Sequence, residues 1–160
     1  MDNGKLSKLI AAILVCEFVG ILGSVFTIPS ITTWYAALQK PSFSPPNWLF
    51  GPVWVLLYAL MGISAYLIWD KGIRKKGVKT SLKLFSLQLI LNFMWSILFF
   101  GLKSPLLGLI EIALLWIAIL ATIMKFARLS KEAAVLMVPY ILWVSFAAVL
   151  NLYVWMLNMI

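Results

Sequence analysis

The sequence predicts an all-α integral membrane protein, a bundle of five transmembrane helices in one membrane domain that covers residues 1–160. Of the 160 residues, 64% are hydrophobic and 11% are charged, and the mean hydropathy is +1.04. A soluble domain of this length exposes many more polar side chains. Five apolar runs are each long enough to cross a hydrocarbon core of ~30 Å at ~1.5 Å per residue. The runs cover residues 9–28, 50–69, 82–102, 105–126 and 133–157.

The first run follows Lys5 and Lys8, as the apolar part of a signal peptide would, but it fits a first transmembrane helix better. It is long for a signal peptide, it contains Glu17, and no small-residue cleavage site with a polar segment follows it. The single cysteine, Cys16, has no partner for an internal disulfide, so we expect it to pack as a small apolar residue.

The segment between the first two runs, residues 29–49, is predicted to form a lid loop over an apolar pocket. Pro41, Pro45 and Pro46 remove backbone donors and exclude a regular helix across it. Its aromatic residues, Trp34 and Tyr35 among them, prefer an apolar or interfacial setting. A proline-stiffened aromatic segment beside a membrane bundle therefore suggests a cover over a hydrophobic site.

Basic residues lie mostly on one side of the predicted bundle. Five crossings place the N-terminus and the connections at 70–81 and 127–132 together, and this side carries eleven basic residues against Lys40 and Lys103 on the other. The eleven are Lys5, Lys8, Lys71, Arg74, Lys75, Lys76, Lys79, Lys83, Lys125, Arg128 and Lys131. This bias predicts a multi-pass cell-membrane protein with a cytoplasmic N-terminus and an external lid loop and C-terminus. The net charge of +8 is then a topology signal facing anionic lipid, and no nucleic-acid partner is expected.

Side chains for conventional enzyme chemistry are scarce. The chain has no histidine, one cysteine and five acidic residues, so it lacks a zinc or iron site of ordinary ligand spacing. No Walker, G-x-S-x-G or G-x-G-x-x-G sequence occurs. These features argue against hydrolase, redox-metal and nucleotide-binding functions, and no metal or bound cofactor is expected.

Polar and aromatic residues in three of the helical runs share overlapping membrane depths. In the run 82–102, Gln88, Asn92 and Trp95 recur at steps of three to four, which places them on one helix face. At ~1.5 Å per residue Asn92 lies near the middle of the membrane. The residues predicted on these grounds to line a pocket are Trp54, Tyr58, Asn92, Trp95, Trp143 and Ala147.

Each of these residues has an alternative interpretation. The aromatic side chains would also serve as core filler or as an interfacial belt, and Gln88 and Asn92 would also hold helices together. Taken together, an amide face and mid-depth tryptophans beneath a proline-rich cover favour a ligand pocket. Glu17 and Glu111 lie at membrane depth, where an acid is costly and suggests function. A hydrogen-bonded structural acid or a contact between subunits is the alternative, so both roles stay open.

Several spaced motifs are similar to those of one known family. They are Trp34-Tyr35, Leu38-Gln39-Lys40-Pro41, Pro45-Pro46, Gly51-Pro52-Val53-Trp54, Tyr58, then Gln88, Asn92, Trp95, Phe99-Phe100, Pro139-Tyr140, Trp143, Asn151 and Tyr153-Val154-Trp155. On these residues the sequence resembles the translocator protein family of tryptophan-rich sensory proteins (TspO, peripheral-type benzodiazepine receptor). The resemblance covers nearly the whole chain from the first helix onward.

The resemblance implies a five-helix bundle, commonly a homodimer, that binds hydrophobic ligands under the loop between the first two long helices. Ligands of the family include porphyrins such as protoporphyrin IX and haem, sterols in animal members, and synthetic benzodiazepine-type drugs. The implied function is tetrapyrrole transport or sensing, with a porphyrin or haem as ligand and not as a cofactor. The residues predicted to bind ligand are Tyr35, Pro45, Trp54, Tyr58, Asn92, Trp95, Trp143 and Ala147.

Two alternatives to this function stay open. Some bacterial members are reported to promote light- and oxygen-dependent porphyrin breakdown through pocket tryptophans, which here would make Trp54 and Trp143 catalytic. The other alternative is sterol or lipid binding, but Met156 stands where the animal sterol motif has a basic residue. For porphyrin carboxylates, Lys40 in the lid loop is the nearest cation on the outer side.

Overall fold

Five helices long and apolar enough to span a membrane make up the structure, a computed structural model that describes residues 3–159. The fold class predicted from the sequence is therefore confirmed. The long helices are α1 (Asn3–Ile31), α3 (Asn47–Trp69), α4 (Val78–Gly101), α5 (Pro105–Ala127) and a last span, Lys131–Leu157, built from α6 (Lys131–Leu136) and α7 (Val138–Leu157). A single turn, α2 (Trp34–Ala37), lies between α1 and α3.

The observed helices extend beyond most of the predicted apolar runs. Helix α1 begins in the polar N-terminal segment and continues to Ile31, and α3 begins at Asn47, so both enter the lid loop. Hydropathy shows how long the apolar segment of a helix is, whereas the residue at which the helix begins or ends depends on capping. At the start of α5 the Ser104 hydroxyl accepts a hydrogen bond from the Leu107 amide at 3.3 Å.

Neighbouring spans run in opposite directions. The Lys5 ammonium lies 3.6 Å from the Asp70 carboxylate, which joins the start of α1 to the end of α3. The Asn151 amide nitrogen donates to the Pro105 carbonyl at 2.8 Å, which joins the C-terminal half of α7 to the start of α5. We call the side with the connections 70–77 and 128–130 the basic end, and the side with the lid loop the lid end.

Helices α1 and α3 pack closely in the half of the bundle at the basic end. A Cβ atom at Gly62 would lie 2.5 Å from the Ile13 Cα, so the two backbones touch there. One to two turns further along α1, Gly20 leaves room for the ring of Tyr58. Glycine permits both approaches because it has no side chain. Toward the lid end, facing residues of the two helices line a cavity.

The last turn of α4 is a π-helix, Ile97–Gly101, in which the Leu102 amide donates to the Ile97 carbonyl at 2.7 Å. The wider turn lets consecutive residues Phe99 and Phe100 both face the interior. The Ser30 hydroxyl of α1 donates to the Phe100 carbonyl at 3.1 Å. This bond ties α1 to the π-helical turn near the lid end.

Candidate ligand-binding site

A cavity of about 470 Å³ lies among α1, α3, α4, α5 and α7. Its walls are mostly apolar and aromatic, and its volume falls within the range of ~300–1,000 Å³ that is usual for small-molecule sites. Of the predicted ligand-binding residues, seven line it: Tyr35, Trp54, Tyr58, Asn92, Trp95, Trp143 and Ala147. The eighth, Pro45, is not on its wall, although it is partly buried in the lid loop.

Three buried polar side chains form a hydrogen-bonded chain at the floor of the cavity. The Tyr58 hydroxyl donates to the Asn92 side-chain oxygen, and the Asn92 amide nitrogen donates to the Tyr140 hydroxyl at 3.0 Å. These bonds connect α3, α4 and α7. Asn92 keeps a second amide hydrogen and a second oxygen lone pair, which a ligand can use.

Tryptophan rings form the walls on two sides. The Trp54 ring centroid lies 5.5 Å from that of Tyr58 and 6.2 Å from that of Tyr140. Trp95 stacks on Phe99, with centroids 4.8 Å apart and an angle of 14° between the planes. Flat walls at these angles suit a flat aromatic ligand.

Two indole nitrogens on the wall differ in their bonding. The Trp95 nitrogen donates to the Asn151 side-chain oxygen at 3.3 Å, so it is already satisfied. The Trp143 nitrogen is buried and has no hydrogen-bond partner within residues 3–159. Its N–H group is therefore available to an acceptor atom of a ligand.

The lid loop contacts the lid end of the bundle through Tyr35. This side chain is buried, with its ring centroid 5.6 Å from that of Phe100. Burial raises the pKa of the Tyr35 hydroxyl above its ordinary value. The Lys40 ammonium donates to the carbonyls of Tyr35 and Leu38 at 2.7 and 3.0 Å. Lys40 therefore stabilises the loop and is not on the cavity wall.

The end of α7 holds the lid loop through one side-chain amide. The Gln39 backbone amide donates to the Asn158 side-chain oxygen at 3.0 Å, and the Asn158 nitrogen donates to the Gln39 carbonyl at 2.9 Å. Nearby, the Phe43 ring packs against that of Tyr153, with centroids 5.3 Å apart. No pattern in the sequence predicts this connection.

The cavity opens sideways toward the membrane between the lid-end halves of α1 and α3. Four of its apolar lining residues are strongly exposed: Ile21 at 61%, Ile28 at 65%, Trp48 at 71% and Val55 at 59%. Their apolar surfaces face the region that lipid tails occupy in a membrane. Trp48 thus lies at this opening.

Helix α1 contributes a wall that the sequence analysis missed. Glu17, Gly20, Ser24 and Thr27 line the cavity, and they lie on one face because they recur at steps of three to four. The recurrence of small and polar residues at this spacing in an apolar helix is the sequence feature that could have predicted this wall.

Two other buried polar side chains lie off the wall. Gln88 and Glu111 have no hydrogen-bond partner within residues 3–159. In the same part of the chain, no three histidine, cysteine or acidic side chains are grouped to hold a metal ion.

A sequence profile of the TspO/MBR family matches residues 12–156. The chain belongs to the TspO/MBR family. The tryptophan-rich protein TspO of Archaeoglobus fulgidus is 49% identical over 152 residues, which are 94% of this chain and 97% of that protein. Its counterpart in Chlorobaculum tepidum is 46% identical over 156 residues, 98% of this chain and 99% of that protein. The human translocator protein is 40% identical over 136 residues, 84% of this chain and 80% of that protein.

TspO/MBR membership and five apolar spans together identify a multi-pass membrane protein. They also support a receptor-like or transporter-like role, since the related proteins carry translocator and sensory names. The cavity between the spans gives this TspO/MBR chain a place for a membrane-soluble ligand.

Proposed function

We propose that this protein binds porphyrins, such as protoporphyrin IX and haem, in the aromatic cavity and takes part in tetrapyrrole transport or sensing. The observation that carries the proposal is the flat tryptophan wall of Trp54, Trp95 and Trp143 above the Asn92 amide. A planar macrocycle gains most from such walls. The lateral opening would let the edge of a large ring extend toward lipid.

The carboxylates of a porphyrin would lie at the lid end in this arrangement. Within residues 3–159 no lysine or arginine lines the cavity, so a charged carboxylate deep inside would lack a partner there. The macrocycle would therefore enter with its apolar edge toward Asn92 and keep its carboxylates near the membrane–water interface.

A titration of purified protein with protoporphyrin IX, followed by quenching of tryptophan emission, tests this proposal. We expect saturable binding that weakens when Trp143→Ala removes one wall. The control is Trp69→Ala, because Trp69 at the basic end of α3 does not line the cavity. Equal weakening by both variants, or no saturable binding, would contradict the proposal.

A second candidate function is light- and oxygen-dependent porphyrin breakdown. It is favoured by the indole rings of Trp54 and Trp143, which both line the cavity and would lie beside a bound macrocycle. Indoles can give an electron to an excited porphyrin while oxygen acts as the oxidant, so histidine is not required. Under illumination, wild type should bleach protoporphyrin IX faster than Trp54→Phe and Trp143→Phe do at equal occupancy. Equal bleaching by all three proteins would contradict porphyrin breakdown and leave porphyrin binding as the proposed function.

The orientation in the membrane belongs to the same proposal. The excess of lysine and arginine at the basic end favours a cytoplasmic N-terminus in a cell membrane, with the lid loop outside. In a Cys16→Ala background, a membrane-impermeant thiol reagent should label Lys103→Cys in intact cells. It should label Lys76→Cys only after lysis. The reverse labelling pattern would show that the protein has the opposite orientation in the membrane.

Membership of the TspO/MBR family also leads us to expect other ligands and a particular oligomeric state. We propose that benzodiazepine-type compounds share the aromatic cavity, that lipid contacts its lateral opening, and that the protein forms a homodimer. Competition with protoporphyrin IX tests shared occupancy, and mass measurement of the protein in lipid discs tests the dimer.

A further inference from the structure

The charged side chains that line the cavity are unusual for a site that binds an acidic macrocycle. Among its lining residues Glu17 is the one that carries an ordinary acidic or basic charge, and no lysine or arginine accompanies it. The chain contains no histidine. Any fixed charge that the cavity offers a ligand is therefore negative.

Glu17 has no partner of its own within residues 3–159. Its carboxylate accepts no hydrogen bond and forms no ion pair there. The two nearest basic residues along α1 are engaged elsewhere, since Lys5 pairs with Asp70 at 3.6 Å. The Lys8 ammonium lies 5.9 Å from the centre of the Trp69 ring. An unpaired carboxylate at membrane depth is costly, so it suggests a partner supplied from outside the chain.

Aromatic rings surround the same part of the cavity. Gly20, one turn after Glu17 on α1, contacts the ring of Tyr58, so this ring and the carboxylate lie at a similar level. The Trp54 ring follows at 5.5 Å from that of Tyr58. The faces of tyrosine and tryptophan rings attract organic cations. A carboxylate beside such rings is a recognised combination for binding an ammonium group.

The lateral opening suits a ligand that dissolves in the membrane. Ile21 and Val55 line both the cavity and the exposed surface between α1 and α3, and Glu17 lies one turn below Ile21. A molecule with an apolar body and one cationic group could enter from lipid through this opening. Its charge would then be neutralised at Glu17, which offsets the cost of removing it from water.

We propose that Glu17 makes this cavity a binding site for hydrophobic organic cations, whose ammonium group lies between the Glu17 carboxylate and the Tyr58 ring. The ligand class is an aromatic or aliphatic amine, or a quaternary ammonium compound, small enough for a cavity of about 470 Å³. This goes beyond the proposed function, which concerns an anionic macrocycle. It shares with that function only the condition that the cavity admits ligands.

The test compares two probes of the same shape. One is pyrenylmethyl-trimethylammonium, and the other is the neutral pyrene in which a tert-butyl group replaces the trimethylammonium group. The protein is held in discs of zwitterionic lipid, and quenching of tryptophan emission reports binding, with protein-free discs correcting for partition into lipid. The quaternary ammonium keeps its charge at every pH. We expect wild type to bind the cation about tenfold more tightly than the neutral probe.

Two variants of Glu17 and one control locate the effect. Glu17→Gln, which removes the charge and keeps the shape of the side chain, should reduce the ratio of the two affinities to less than about twofold. Glu17→Asp, which keeps the charge, should retain most of the preference. Glu132→Gln is the matched control because Glu132 is exposed at the start of α6 and does not line the cavity, so its preference should equal that of wild type.

The outcomes separate this inference from the proposed function. Equal affinity of wild type for the two probes, or an unchanged preference in Glu17→Gln, would overturn the role of Glu17. Porphyrin binding without a preference for the cation would leave the proposed function standing alone. Failure of wild type to bind either probe or protoporphyrin IX would overturn both, because it would show that the cavity does not admit ligands.

Discussion

The hydroxyl of Tyr58 donates a hydrogen bond to the side-chain oxygen of Asn92 across the interface of α3 and α4. Asn92 in turn donates to the Tyr140 hydroxyl of α7 at 3.0 Å, so one amide joins three helices at the cavity floor. All three side chains are buried. The packing of three helices and the proposed ligand recognition therefore depend on the same group.

Replacing Asn92 by alanine should weaken both properties. The hydroxyls of Tyr58 and Tyr140 would each lose a buried partner, at a cost of about 1–3 kcal/mol for each group left unsatisfied. We expect a lower unfolding temperature and weaker protoporphyrin IX binding. Ser86→Ala is the control, because Ser86 is exposed on the same helix and bonds only to the Leu82 carbonyl. Unchanged stability in Asn92→Ala would show that the hydrogen-bonded chain has little net effect.

Filling the cavity from α7 should block ligands without disturbing the fold. Ala147 lines the cavity, so a tryptophan there would occupy space that the macrocycle needs. We expect Ala147→Trp to weaken protoporphyrin IX binding more than about tenfold, equivalent to ~1.4 kcal/mol. Val149→Trp places the same side chain on the exposed face of α7 and should bind like wild type. Equal affinities in a quenching titration would contradict the cavity as the binding site.

The contact between Gly62 and Ile13 gives a test of the α1–α3 packing. A Cβ atom at Gly62 would lie 2.5 Å from the Ile13 Cα, and backbone atoms cannot yield as a flexible side chain does. We expect Gly62→Ala to lower the free energy of unfolding by about 1–3 kcal/mol. Gly51→Ala on the same helix meets no atom within 4 Å and should leave stability unchanged or slightly higher. Thermal unfolding in detergent measures both, and equal midpoints would refute the close approach.

Glu111 is a buried acid whose two carboxyl oxygens have no partner within residues 3–159. A buried polar group without a partner costs about 1–3 kcal/mol, and an apolar side chain of similar volume avoids that cost. Glu111→Met should therefore raise the unfolding temperature, whereas Leu114→Met on the exposed face of α5 should not. A lower unfolding temperature for Glu111→Met would instead indicate that another subunit or a ligand satisfies this carboxyl group.

The paired hydrogen bonds between Asn158 and Gln39 hold the lid loop against α7. Asn158→Ala removes both bonds, so we expect faster ligand release, by roughly threefold to tenfold for a loss of about 1 kcal/mol. Stopped-flow displacement of protoporphyrin IX measures the release rate. Met159→Ala, one residue later and exposed, is the control. Equal release rates would mean that the loop does not limit ligand exit.

The five spans were predictable because membrane thickness imposes a length of apolar sequence that composition alone displays. Trp54 and Asn92 were found on the same basis, since depth follows from counting residues along a helix. The wall formed by Glu17 and Gly20 was missed because apolar side chains surround the whole of α1. Which face packs inward depends on Gly62, far away in sequence.

Two further features depend on contacts that are distant in sequence. The π-helical turn at Ile97–Gly101 is held partly by Ser30, and the lid loop is held by Asn158. Neither pairing leaves a periodic pattern in the chain. Lys40 was a candidate cation for the carboxylates of a porphyrin, with a merely interfacial role as the alternative, and its ammonium group donates to loop carbonyls within a few residues of it.

The lateral opening between α1 and α3 faces lipid, which is where a strongly partitioning ligand is concentrated. For such a ligand, occupancy of the cavity follows the mole fraction of the ligand in the bilayer. Diluting a vesicle sample with buffer should leave the occupied fraction of a strongly partitioning ligand unchanged, whereas adding empty vesicles should lower it. In a cell, membrane area would then control saturation of the protein as directly as the supply of ligand does.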